Sequence, residues 1–91
     1  MDDVTFEWLD EKQTKQNVSD LIRKAPFSTY KLHELLADAD GKKQGVSLQC
    51  VYQWSNPDNK KLPSLEHLVL LAGVCNAKLD DIIAVKKDTR A

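Results

Sequence analysis

The chain is short of cysteine, glycine and proline, with 2, 3 and 3 of them among 91 residues. Cys50 and Cys75 stand alone without a C-x-x-C spacing, so they frame neither a disulfide scaffold nor a zinc finger. They read as reduced thiols of a cytosolic protein. The scarcity of glycine and proline excludes collagen-like and low-complexity architectures, and no internal repeat is present. No apolar run approaches the ~18 residues that a membrane span needs. The opening MDDVTFEWLDE is acidic where a secretory signal would be basic. A dominant charge is missing too: 13 basic and 14 acidic side chains leave −1, so bulk charge names no partner.

What is present is a chain long enough for one domain. Apolar residues make up 42%, near the globular norm, which argues against disorder over the whole length. A domain of this size can bury one core without staples, with modest margin. Charge is unevenly spread. Residues 1–20 hold six acidic groups against two basic, residues 21–64 seven basic against four acidic, and residues 65–91 four of each. An acidic arm therefore precedes a mildly basic middle.

The middle and C-terminal parts have helical periodicity. Val18, Leu21, Ile22 and Ala25 recur at helical spacing, with Asn17 as a candidate cap and Pro26 as the stop. Ser28 restarts a helix with Leu32, Leu35 and Leu36 on one face, and Phe27 with Leu32 forms a candidate hydrophobic staple. Asp38 to Gly45 reads as a loop. Ser47 caps a third helix through about Trp54, and Asn56-Pro57-Asp58-Asn59 breaks it. Pro63 suits the first turn of a fourth helix that buries Leu65, Leu68, Val69, Ala72 and Cys75 and stops at a left-handed Asn76. Leu79, Ile82 and Ile83 mark a short fifth helix, with Lys86 and Lys87 at its negative end. The expected fold is all-α: five helices over residues 17–86, preceded by an acidic arm at 1–16 and followed by a tail at 87–91. Only the arm is ambiguous. Val4, Phe6 and Trp8 alternate as in a strand, yet Val4/Trp8 and Thr5/Leu9 also fit a helix. The arm is expected to pack on its own domain, to extend the first helix at its N-terminus, or to form a dimer contact.

Three segments between Phe27 and Val85 together resemble one family. They are Ser28-Thr29-Tyr30-Lys31-Leu32-His33, Gly45-Val46-Ser47-Leu48-Gln49-Cys50-Val51-Tyr52-Gln53-Trp54, and Leu62-Pro63-Ser64-Leu65-Glu66-His67-Leu68 with Leu71-Ala72 and Leu79-Asp80-Asp81-Ile82-Ile83. In order and spacing this resembles the Cro/repressor-type (lambda-repressor-like) helix-turn-helix family. The resemblance implies a compact five-helix domain whose third helix enters the major groove of duplex DNA. It implies a small cytoplasmic transcription regulator, a repressor of phage-like or mobile-element origin, acting as a homodimer. The dimer surface would be either the fifth helix with its Ile82–Val85 end or the Val4, Phe6, Trp8 arm.

On that reading Val51 and Trp54 face the core, and Gln49, Tyr52 and Gln53 face the bases. Glutamine carries an acceptor and a donor and can pair with adenine N6 and N7, while Leu48 can touch a thymine methyl. Thr29 and Ser47 at helix starts, Lys42 and Lys43 before the third helix, and Asn56, Asn59, Lys60 and Lys61 after it are the expected phosphate contacts. The departures are a turn about eight residues longer than usual, with Asp38 and Asp40 in it, His33 where the family prefers alanine, and Lys78 where a serine cap is usual.

No catalysis and no cofactor are expected. His33, His67, Cys50 and Cys75 lie on separate segments with no nucleophile motif, and their spacings match no familiar metal site. Neither a small-molecule effector domain nor membrane association is expected. The competing reading is a protein-binding module, an antitoxin or inhibitor on a helix-turn-helix scaffold, favoured by the acidic arm and the weakly basic recognition region.

Overall fold

A computed structural model describes residues 3–39 and 46–90. Strand β1 (Val4–Leu9) leads into helices α1 (Glu11–Lys24), α2 (Thr29–Ala39), α3 (Leu48–Ser55), α4 (Leu65–Val74) and α5 (Leu79–Ile82), and strand β2 (Val85–Arg90) closes the chain.

Each longer helix starts where a short polar side chain meets an otherwise orphaned amide. Asp10 accepts from the Gln13 amide at 3.1 Å, Ser28 from Lys31 at 3.1 Å, Ser47 from Cys50 at 3.1 Å and Ser64 from His67 at 3.3 Å. Pro26 turns Ala25 extended and ends α1. Asn76 takes φ 55°, and Ala77 N–H reaches back to Ala72 C=O at 2.8 Å, a Schellman stop for α4. Lys78 gives α5 no side-chain cap.

The core gathers Val18 and Ile22 of α1, Leu32 and Leu36 of α2, Val46, Val51 and Trp54 at α3, Leu68, Leu71 and Ala72 of α4, and Ile82. Helix α1 packs on α3 and α5, α2 packs on α3 and α4, and α4 packs on α5.

The all-α expectation is overturned: β1 and β2 form a two-stranded antiparallel sheet, with Val4 opposite Arg90 and Leu9 opposite Val85. Two physical facts hide it from the sequence. Val85-Lys86-Lys87-Asp88-Thr89-Arg90 has no apolar alternation, and its partner lies at the other end of the chain. Lys86 and Lys87 accordingly belong to the ribbon, where Lys87 pairs with Glu7 at 3.3 Å. Helix α1 also begins earlier than its apolar pattern, so residues 11–16 of the acidic segment are helical. Asn17 lies inside α1 and donates to the Ile82 carbonyl at 2.9 Å. Pro63 is buried one residue ahead of the Ser64 cap, while Leu65 and Val69, expected in the core, are exposed. Of the expected loop, residues 38–39 continue α2 and residues 40–45 lie outside the described part.

The ribbon is rooted on α1. Asp10 N–H donates to Ala84 C=O at 2.9 Å, and Ala84 N–H donates to the buried Thr14 hydroxyl at 3.0 Å. Beyond that root none of the residues of β1 is buried. A compact domain of this length has a radius of gyration of about 12 Å; this molecule has 15.1 Å and measures 52 × 27 × 20 Å.

Candidate functional site

Helix α3 is divided lengthwise by its periodicity. Val51 and Trp54, three residues apart, are buried, and the Trp54 ring lies against His67 of α4 with centroids 5.2 Å apart. Gln49, Tyr52 and Gln53 fall at i, i+3 and i+4 on another face. Gln49 is exposed, Tyr52 is 54% exposed, and Gln53 is half-buried. Leu48 is half-buried in the first turn, and Ser47 is exposed as the cap. The helix therefore offers two amide groups and a phenol on one short ridge. At 1.5 Å per residue the ridge spans about 6 Å of the eight-residue helix.

The flanks hold the other expected residues. Thr29 opens α2 and is half-buried. After α3, Asn56 Oδ1 accepts from the Asp58 amide at 3.0 Å, and Asn59 Oδ1 accepts from the Lys61 amide at 2.9 Å. These two asparagines thus shape the loop with their oxygens, and their Nδ2 ends are the ones that can donate elsewhere. Lys60 and Lys61 are exposed beside them. Lys42 and Lys43 lie outside the described residues.

Lys15 is the residue that the sequence reading missed. It is 4% exposed, and its ammonium donates to Ser19 Oγ at 3.0 Å, Trp54 C=O at 3.1 Å and Asn56 C=O at 2.8 Å. Ser19 Oγ donates to the same Trp54 carbonyl at 2.8 Å. A helix end leaves carbonyls unsatisfied and carries partial negative charge. Here α1 supplies both donors and a cation to the end of α3. Burial pushes the Lys15 amine below the ordinary lysine range, while three acceptors favour keeping it charged. No carboxylate signals this role; only its spacing of three and four residues from Val18 and Ser19, on the core side of α1, could have found it.

Beside this junction a cleft of about 380 Å³ opens between α1 and the loop after α3. Lys12, Lys15, Lys60 and Asn59 line it with Glu11, so it adds Lys12 to the cations near the end of α3.

The groups weighed for catalysis or metal binding stay apart in role. His67 packs on Trp54, His33 lies near the Tyr30 ring at 6.2 Å, and Cys75 caps the end of α4. Burial pushes the Cys75 thiol up, away from the reactive thiolate. Among the described residues no three His, Cys, Asp or Glu side chains cluster as a metal site, and no helix is long and apolar enough to cross a membrane. Comparison with known proteins adds no function to this geometry: the chain matches no family model, no curated protein and no solved structure.

Proposed function

We propose that the protein is a cytosolic, sequence-specific binder of duplex DNA that reads bases with α3 and regulates transcription by occupying an operator. The observation that carries this reading is the outward ridge of Gln49, Tyr52 and Gln53 on a helix whose opposite face and C-terminal end are both fixed. A rigid helix with amide groups aimed outward is what direct readout requires. Ser47, Thr29, Lys60, Lys61 and the Nδ2 ends of Asn56 and Asn59 are the phosphate-facing set, and such contacts position without specifying. The likeness of its segments to Cro/repressor-type helix-turn-helix domains belongs to the same reading, as do the role of repressor and the absence of catalysis.

The test is selection of duplex fragments from a random pool, followed by affinity measurements at ~50 and ~200 mM salt, between which phosphate-dependent binding falls steeply. Gln49→Ala and Gln53→Ala are each expected to lose about 1–3 kcal/mol of discrimination at one base position. Lys60→Ala and Lys61→Ala should weaken all sequences alike and lower the salt slope by about one each. A pool that yields no enriched sequence overturns the reading.

A protein-binding role is the second reading, and one observation favours it: α3 itself (Leu48–Ser55) carries no lysine or arginine. Gel-shift assays separate the two, since a protein-binding module gives no salt-dependent shift of duplex DNA.

A further inference from the structure

Lys15 is a buried cation without a buried anion. Its ammonium donates to neutral oxygens alone, Ser19 Oγ and the Trp54 and Asn56 carbonyls. Charges taken out of water are ordinarily paired. The end of α3 returns about half a unit of negative charge, and the rest is uncompensated. Among the described residues no carboxylate lies within ion-pair distance of Lys15, nor of Lys12 or Lys60.

These three lysines line one cleft, the opening of about 380 Å³ between α1 and the loop after α3, together with Glu11, Pro57 and Asn59. Three cations against one anion leave two positive charges on its wall. The side chains divide the work. Lys15 has its N–H bonds taken, so it attracts through its charge. Lys12 and Lys60 are exposed and can close on a ligand. Asn59 Oδ1 accepts from the Lys61 amide, which leaves its Nδ2 to donate. Pro57 adds an apolar surface. The volume is at the lower end of small-ligand clefts and exceeds what a bare oxyanion fills.

We propose that this cleft binds the phosphate group of a small free monoester, with Lys12, Lys60 and Asn59 Nδ2 in contact and Lys15 supplying charge from the wall. A phosphate monoester carries close to two negative charges at neutral pH, which matches the wall, and three acceptor oxygens, which match the two ammoniums and the amide. Ammoniums act as point charges and suit a tetrahedral phosphate, whereas a flat carboxylate is best met by the guanidinium fork, and no arginine lines the cleft. The organic part of the ligand lies on Pro57. The site does not depend on what α3 binds. Lys60 and Asn59 also belong to the phosphate-facing set proposed for duplex DNA, so where both readings hold, the free anion and the duplex compete.

The test is a titration of the full chain, without DNA, by inorganic phosphate and by phenyl phosphate, followed by amide chemical shifts. Potassium chloride holds the ionic strength constant, so that screening does not change. Saturable shifts are expected at Lys12, Lys15, Asn59 and Lys60, with phenyl phosphate binding more tightly than inorganic phosphate. Lys12→Gln and Lys60→Gln, both at exposed positions, should each weaken binding by about threefold or more. Glu11→Gln should tighten it, and Lys24→Gln, at the far end of α1, should leave it unchanged. Lys15→Met should weaken it; if that variant unfolds, the four exposed ones decide. No saturation, equal losses in Lys24→Gln and Lys60→Gln, or tighter binding of malonate than of phosphate overturns the proposal. So does a short duplex that shifts these residues when neither phosphate does, since the cleft is then a contact for the DNA backbone. Phosphate is titrated with no DNA present, so failure here is distinct from failure of the α3 reading.

Discussion

Helix α3 and the β1–β2 ribbon are both fastened to α1, and they are fastened in opposite ways. Helix α3 sinks Val51 and Trp54 into the core, and Lys15 and Ser19 grip its last carbonyls. The ribbon is held at its root by backbone and hydroxyl bonds at Asp10, Thr14 and Ala84, and past that point it touches water on every residue of β1. One region is stabilised by burial and keeps a polar face outward. The other keeps its apolar face outward and is stabilised by ladder bonds and surface pairs. A readout element needs fixed side-chain positions, which burial supplies. An exposed apolar strand is instead what an association surface looks like before association.

The contrast breaks first if the anchor is removed. Trp54→Ala should destabilise the domain by about 3–5 kcal/mol, seen as a lower urea midpoint with unchanged denaturant slope. A loss near zero would mean that α3 is not held by the core. Lys15→Met comes next, because it takes the Lys15 donor from the Asn56 carbonyl and leaves the Trp54 carbonyl to Ser19 Oγ alone; about 1–3 kcal/mol is expected, with faster amide exchange at the end of α3. The pH dependence of this residue has a definite sign. Burial lowers the Lys15 amine, so between its folded value and the ordinary lysine range the unfolded chain binds more protons than the folded one. Stability from this group therefore rises with pH across that window, on the alkaline side of neutrality. The difference between parent and Lys15→Met midpoints should change in that direction between neutral and alkaline pH, and a flat difference would sink the assignment.

The same contrast explains what could be read in advance. Helix ends are local, so Ser28, Ser47, Pro26 and Asn76 announce them within a few residues of chain, and the outward triad of α3 follows from spacing alone. Lys15 was not legible because a buried lysine looks like any surface lysine until its acceptors, some forty residues away in sequence, fold next to it. The ribbon was half legible: Val4, Phe6 and Trp8 alternate, but β2 does not, and pairing across the whole chain leaves no local mark. Leu65 and Val69 failed for another reason. Helix α4 is apolar nearly all round, so its periodicity does not say which face is inward.

Ser47→Ala tests the intermediate scale. Its hydroxyl satisfies the Cys50 amide at 3.1 Å, and removing such a cap costs about 1 kcal/mol. The loss should fray the first turn of α3, where Leu48 and Gln49 lie, so exchange at the Cys50 amide should rise more than exchange at Trp54. Uniform acceleration along the helix would show that the core anchor, not the cap, sets the order of that turn.

The smallest effect belongs to the ribbon. Glu7 and Lys87 sit 3.3 Å apart with both side chains more than half exposed. Such pairs gain little in high dielectric and lose side-chain freedom, so Glu7→Gln should change global stability by less than about 1 kcal/mol. The residual effect should shrink on raising salt from ~50 mM to ~0.5 M, where the screening length falls to about 4 Å. Because β1 contributes no buried residue, the ribbon is expected to open separately from the helical core. Amide exchange at Thr5 and Glu7 should therefore quicken in Glu7→Gln while exchange at Val51 and Leu71 stays unchanged. If the core amides move together with the ribbon, the two regions unfold as one, and the ribbon is a structural part of the domain rather than an appendage on it.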